Sequence, residues 1–118
     1  MQSAAQAYAR TAQTTAAPRE LEAQLLLKAA ARLQALKHAA DSDTIDALRY
    51  NRKLWTLFVS SVTRPENPLP HAIKQNVANL AAFVLKQTVL LENAPEIERV
   101  GILIRINREV AAGLSGQA

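Results

Sequence analysis

The side chains able to do acid–base, nucleophilic or metal chemistry are few and far apart in this chain. His38 and His71 have no acid at ligand spacing, and they form no His-x-x-x-His pair, so they do not assemble a metal site. Cysteine is absent from all 118 residues, which removes thiolate sites and disulfides together. Ser60 and Ser61 fall late in an apolar helical pattern, not on the sharp turn that exposes a nucleophile. Glycines at 101, 113 and 116 form no phosphate-cradling loop. The acids Glu20, Glu22, Asp41, Asp43, Asp46, Glu96 and Glu98 cluster where helices are expected to begin. The helix dipole accounts for acids at such places without a catalytic pair. The expectation is a protein that is not an enzyme, with no catalytic residue, no cofactor and no metal.

Binding chemistry has more material. Arg49, Arg52 and Lys53, with Arg64 beyond them, interleave with Tyr50. A basic helix face with an aromatic ring can grip phosphates and stack on a base, and it can equally be a solvated helix face. The net charge of +4 is compatible with either an acidic protein or a nucleic acid as partner.

The elements that must position these residues are helices. Every apolar pattern repeats at helical spacing and none alternates over a useful length. The spacing predicts an all-α protein: one domain over residues 1–118, a bundle of about five helices with short, proline-marked connections. The expected helices cover about 3–13, 18–38, 43–63, 70–93 and 95–113. The first is Ala-rich, with Tyr8 as its only large anchor, and needs docking to persist. Pro18 opens the second, Ser42 or Asp43 caps the third, Pro68 and Pro70 open the fourth, and Pro95 opens the fifth. Gly113 or Gly116 ends the last helix. Nothing at the start reads as a secretory signal. The longest apolar run, Leu80–Leu85, is far shorter than the ~20 residues of a membrane span, so no membrane is expected as partner.

Placed at 100° steps, the helices show two irregularities. Asparagine sits inside apolar arcs: Asn51 with Leu48, Trp55, Phe58 and Val62; Asn76 with Ile73, Val77, Leu80, Phe83 and Val84; Asn107 with Val100, Leu103, Ile104 and Val110. A buried amide without partners costs about 1–3 kcal/mol. These amides must therefore satisfy one another or meet a partner within a binding groove. The second irregularity is apolar residues off the main arcs: Leu27, Leu57, Leu85, Val89 and Ile102, with Tyr50 on the strip of Leu57. Either the fourth helix is central in the bundle, or this surface receives a partner. The partner-binding candidates are Tyr50, Asn51, Arg52, Leu57, Leu85, Val89 and Ile102.

Four stretches in series carry a resemblance: Leu48-Arg49-Tyr50-Asn51-Arg52-Lys53-Leu54-Trp55-Thr56-Leu57-Phe58, Asn67-Pro68-Leu69-Pro70, Leu80-Ala81-Ala82-Phe83-Val84, and the tail from Leu103 to Leu114 containing Ile106-Asn107 and Gly113. Together they resemble the FlaF family of flagellar biosynthesis regulatory proteins. The resemblance implies a cytoplasmic factor that promotes flagellin synthesis and secretion, acting as a flagellin chaperone alongside the regulator FlbT. The alternative is a post-transcriptional regulator that contacts flagellin mRNA directly through the basic face of Arg49, Arg52, Lys53 and Arg64. The sequence leaves the oligomeric state open.

Overall fold

The computed structural model describes residues 16–37 and 41–116, and these are all-helical. Four helices follow one another: α1 (Ala16–Gln34), α2 (Ser42–Val62), α3 (His71–Asn93) and α4 (Ile97–Leu114). The helix expected over 3–13 and His38 both lie outside the described residues. That leaves four described helices where about five were expected.

The helix ends follow local chemistry, and some differ from expectation. The cap of α2 is Asp41, one residue ahead of the expected Ser42 or Asp43. Its backbone is extended and its carboxylate accepts from the Asp43 N–H at 3.1 Å, satisfying an otherwise unpaired donor. Pro70 caps α3 from outside the helix. Pro95 likewise stays outside α4, whose cap is Glu96 in an extended conformation. α1 stops at Gln34, four residues short of the expected end, and Leu36 turns back onto the core. α4 runs through Gly113 and stops where Gly116 takes a φ of 75°, a left-handed conformation that glycine adopts without strain.

The corner between α2 and α3 is stiffened by more than its prolines. Asn67 Nδ2 donates to the Ser61 carbonyl at 3.2 Å, while Asn67 Oδ1 accepts from the Leu69 N–H at 3.0 Å. This side-chain turn swings Leu69 inward, where it packs on the core. Lys74 Nζ reaches back from α3 to the Arg64 carbonyl at 2.7 Å.

α1 packs most extensively on α4, α2 packs on α3, and α1 meets α2. α3 and α4 are joined by only three residues, 94–96, yet their backbones approach at few points. α3 is therefore not the central helix that its two apolar sides suggested. It lies along α2 and leaves a seam open toward α4.

One core joins all four helices. α1 contributes Ala23, Leu26 and Leu33, and α2 contributes Leu48, Trp55, Phe58 and Val62. Trp55 and Phe58 meet edge to face, with centroids 5.4 Å apart. α4 adds Val100, Leu103, Ile106 and Ala111. On α3 the buried stripe is Val77, Ala81, Val84, Thr88 and Leu91. Of the expected arc, Val77 and Val84 are buried and Leu80 packs partly on the core, while Ile73 and Phe83 turn outward and are each 43% exposed. Small Ala81 and Thr88 face α2 instead, which lets the two helices approach closely.

At the centre of this core lies a polar chain. Trp55 Nε1 donates to Asn107 Oδ1 at 2.8 Å. Asn107 Nδ2 donates to Asn51 Oδ1 at 2.8 Å, with a longer contact of 3.5 Å to the Leu26 carbonyl of α1. Asn51 Nδ2 donates to Thr88 Oγ1 at 3.4 Å, and Thr88 donates to the Val84 carbonyl at 2.6 Å. Indole nitrogen can only donate, which fixes the orientation of both amides along the chain. Asn51, Thr88 and Asn107 are fully buried, and each has partners. Asn76, the third asparagine of the pattern, is exposed. Replacing Asn107 by leucine would strand the Trp55 N–H and the Asn51 carbonyl oxygen together. Asn107→Leu should lower the unfolding free energy in urea by about 3 kcal/mol, whereas Asn76→Ala should change it by less than about 0.5 kcal/mol.

Candidate functional site

The seven sequence-based candidates do not converge on one surface. Asn51 is inside, and the partner contact expected of it is taken by Thr88 and Asn107. Arg52 crosses to α3 and is held by Glu92, its Nε lying 2.9 and 3.2 Å from the two carboxylate oxygens. Tyr50 carries α1 cations on its ring, with Arg32 at 4.6 Å and Lys28 at 5.9 Å from the centroid. Two members of the basic, aromatic cluster are thus engaged within the fold, while Arg49, Lys53 and Arg64 stay exposed. Leu85 and Ile102 are half-buried against the core. Leu57, at 71%, is the most exposed large apolar residue described, and Val89 is exposed beside Leu90, which the sequence reading did not single out.

Leu57 borders a shallow cleft of about 90 Å³ between α1 and α2, shared with Glu22, Leu25, Leu54 and Phe58. Burial among these apolar groups pushes the Glu22 carboxyl above its ordinary pKa, and nearby Arg19 pulls it partly back. A carboxyl with a raised folded pKa binds its proton more tightly in the fold than when unfolded. It therefore favours folding at low pH, and that contribution is lost as pH rises through the folded value. Glu22→Gln, which mimics the neutral form, should gain stability over the wild type at about pH 7 and show little gain near pH 4. Urea denaturation of both proteins at the two pH values reads this directly.

The larger concavity lies in the open seam. It encloses about 440 Å³ between the first half of α3 and the last turns of α4. α3 supplies Ile73, Asn76, Val77 and Leu80; α4 supplies Val110, Gly113 and Leu114. Leu69 and Pro70 from the corner close one end, and Arg19 of α1 is the only charged side chain among the described lining residues. Arg19 Nε is enclosed and has no hydrogen-bond acceptor among the described residues. The sequence reading missed this groove because it placed Ile73 and Leu80 in the core. The signal available was Asn76 in the same arc, an amide without a partner in the bundle.

The groove lies on a stripe of α3 that runs beyond it and is apolar except at Asn76 and Gln87. Ile73, Asn76, Leu80, Phe83, Gln87 and Leu90 follow one another at alternating steps of three and four along α3. Each is exposed or half-buried. This is the heptad spacing of a surface that packs against another helix. Among the described residues no helix is long and apolar enough to cross a membrane, and no three His, Asp or Glu side chains converge as a metal site would require.

Over the described residues, fold and groove thus define a small helical protein with an open apolar concavity between two helices. The chain belongs to the FlaF family: the family model described as flagellar protein FlaF matches residues 4–114, nearly its full length. No curated protein and no solved structure gives a significant match.

Proposed function

We propose that the chain is a cytoplasmic, non-enzymatic helper of flagellar assembly that binds flagellin before its export and so promotes flagellin synthesis and secretion. Membership of the flagellar FlaF family supports the process. The observation that carries the binding role is the open α3–α4 seam, where aliphatic side chains line a groove that the described helices leave unfilled. Flagellin's terminal segments are amphipathic helices in the filament, and an unassembled subunit must keep their apolar faces from aggregating. A groove of this kind receives a helix by its apolar face. The regulator FlbT is a second partner in this reading.

Purified protein mixed with monomeric flagellin at micromolar concentration should co-elute in gel filtration as a complex distinct from either component. Separate elution of the two at that concentration would overturn the reading.

A further inference from the structure

We propose that the α3–α4 groove takes one amphipathic helix of the partner, seated by its aliphatic stripe and anchored by a carboxylate on Arg19. This rests on the flagellin-binding reading and adds the chemistry of the contact. Three observations point to it. The exposed stripe on α3 runs from Ile73 to Leu90, about 26 Å at the rise of an α-helix, and its heptad spacing matches the seam of a helix pair. The groove proper covers Ile73 to Leu80, about 10 Å, which is the span of anchors at positions i, i+4 and i+7 of an incoming helix. The enclosed Arg19 Nε lacks an acceptor among the described residues in an otherwise uncharged groove. Glu22 lies near Arg19 without reaching ion-pair distance, so a carboxylate brought by the occupant would give Nε the acceptor it lacks, as a charge-assisted hydrogen bond.

Gly113 completes the geometry. It sits within helical α4, has no positive φ, and a Cβ built on it would meet nothing within 4 Å. Neither backbone conformation nor internal packing requires glycine there. Its effect is to leave the α4 backbone bare at the groove wall, where a docked helix can come close.

The charge requirement also selects among occupants. Residues 1–15 hold no Asp or Glu, so the chain's own leading segment brings no carboxylate to Arg19. A second copy presenting α3 brings only Glu92, already held by Arg52. The occupant assigned is therefore a helix from another protein, with aliphatic residues at i, i+4 and i+7 and an acid beside them; a second copy presenting another of its helices is the competing outcome that the cross-link below separates.

The test uses the full chain and purified flagellin. Wild type, Arg19→Gln and Gly113→Leu are titrated by calorimetry, and their melting temperatures are measured in parallel. Gly113→Leu fills the groove while improving helix propensity, so it should melt no lower than wild type and yet bind at least about tenfold more weakly. Arg19→Gln should weaken binding about tenfold through loss of a charge-assisted hydrogen bond. In the same chain, p-benzoylphenylalanine in place of Ile73 should cross-link to a flagellin helix that carries an acid within one turn of the cross-linked site. Wild-type binding with both variants unchanged would overturn the groove and leave the flagellin reading intact. No wild-type binding would overturn both. A cross-link to residues 1–15 or to a second copy, in the presence of saturating flagellin, would also overturn the assignment.

Discussion

The hydrogen-bonded chain from Trp55 through Asn107 and Asn51 to Thr88 is the constraint on which the rest of this bundle depends. α2 and α4 lie diagonally across the bundle with no close backbone approach, so only side chains link them. Buried amides tolerate few alternative arrangements. Sliding α4 by one turn would carry Asn107 away from both the indole N–H and the Asn51 oxygen, leaving polar groups stranded in an apolar interior. In a purely aliphatic core such a slip would strand no polar group, and register would rest on side-chain packing alone. The network thus sets the register of α2, α3 and α4, and the Leu26 carbonyl extends it to α1.

That register has a consequence for the surface. Thr88 must face Asn51, and this turns the Val77–Leu91 stripe of α3 toward α2. The neighbouring Ile73, Phe83 and Leu90 are then directed away from the interior, with Leu80 packed only partly on the core, and among the described residues α4, committed to α1, does not cover them. The open seam is the geometric complement of the polar lock, not a packing defect. An interior that can accept no further polar group also leaves partner recognition to the surface, where Arg19 is the one enclosed polar group still lacking an acceptor among the described residues.

Much of the fold was legible in the sequence, and the reasons are local. Helical periodicity, the caps and the prolines locate the last three helices to within two residues. The asparagines at 51 and 107 announced the network, because a helical wheel places them among residues too apolar to be solvated. On α3 the same wheel was right for Val77 and Val84, which are buried, and wrong for Ile73 and Phe83, which are exposed. It weights large apolar residues, so Leu80 and Phe83 outranked Ala81 and Thr88, although helices approach most closely through small residues. Asn76 looked identical to Asn51 on a wheel, yet lies where the bundle has no facing helix. Arg19, Gly113 and Leu114 come from opposite ends of the chain and meet only in the folded state. Arg52 and Tyr50 looked available because their partners, Glu92 and Arg32, are remote in sequence.

The most direct measurement of the central claim is hydrogen exchange at the single tryptophan indole, followed by NMR across a series of low urea concentrations. If Trp55 N–H is locked to Asn107 as the register-setting contact, it should exchange only through global unfolding. Its apparent opening free energy and its urea dependence should then equal those of the whole domain. Exchange within minutes under native conditions, or protection well below the global value and insensitive to urea, would show that the network opens locally and does not hold the bundle in register.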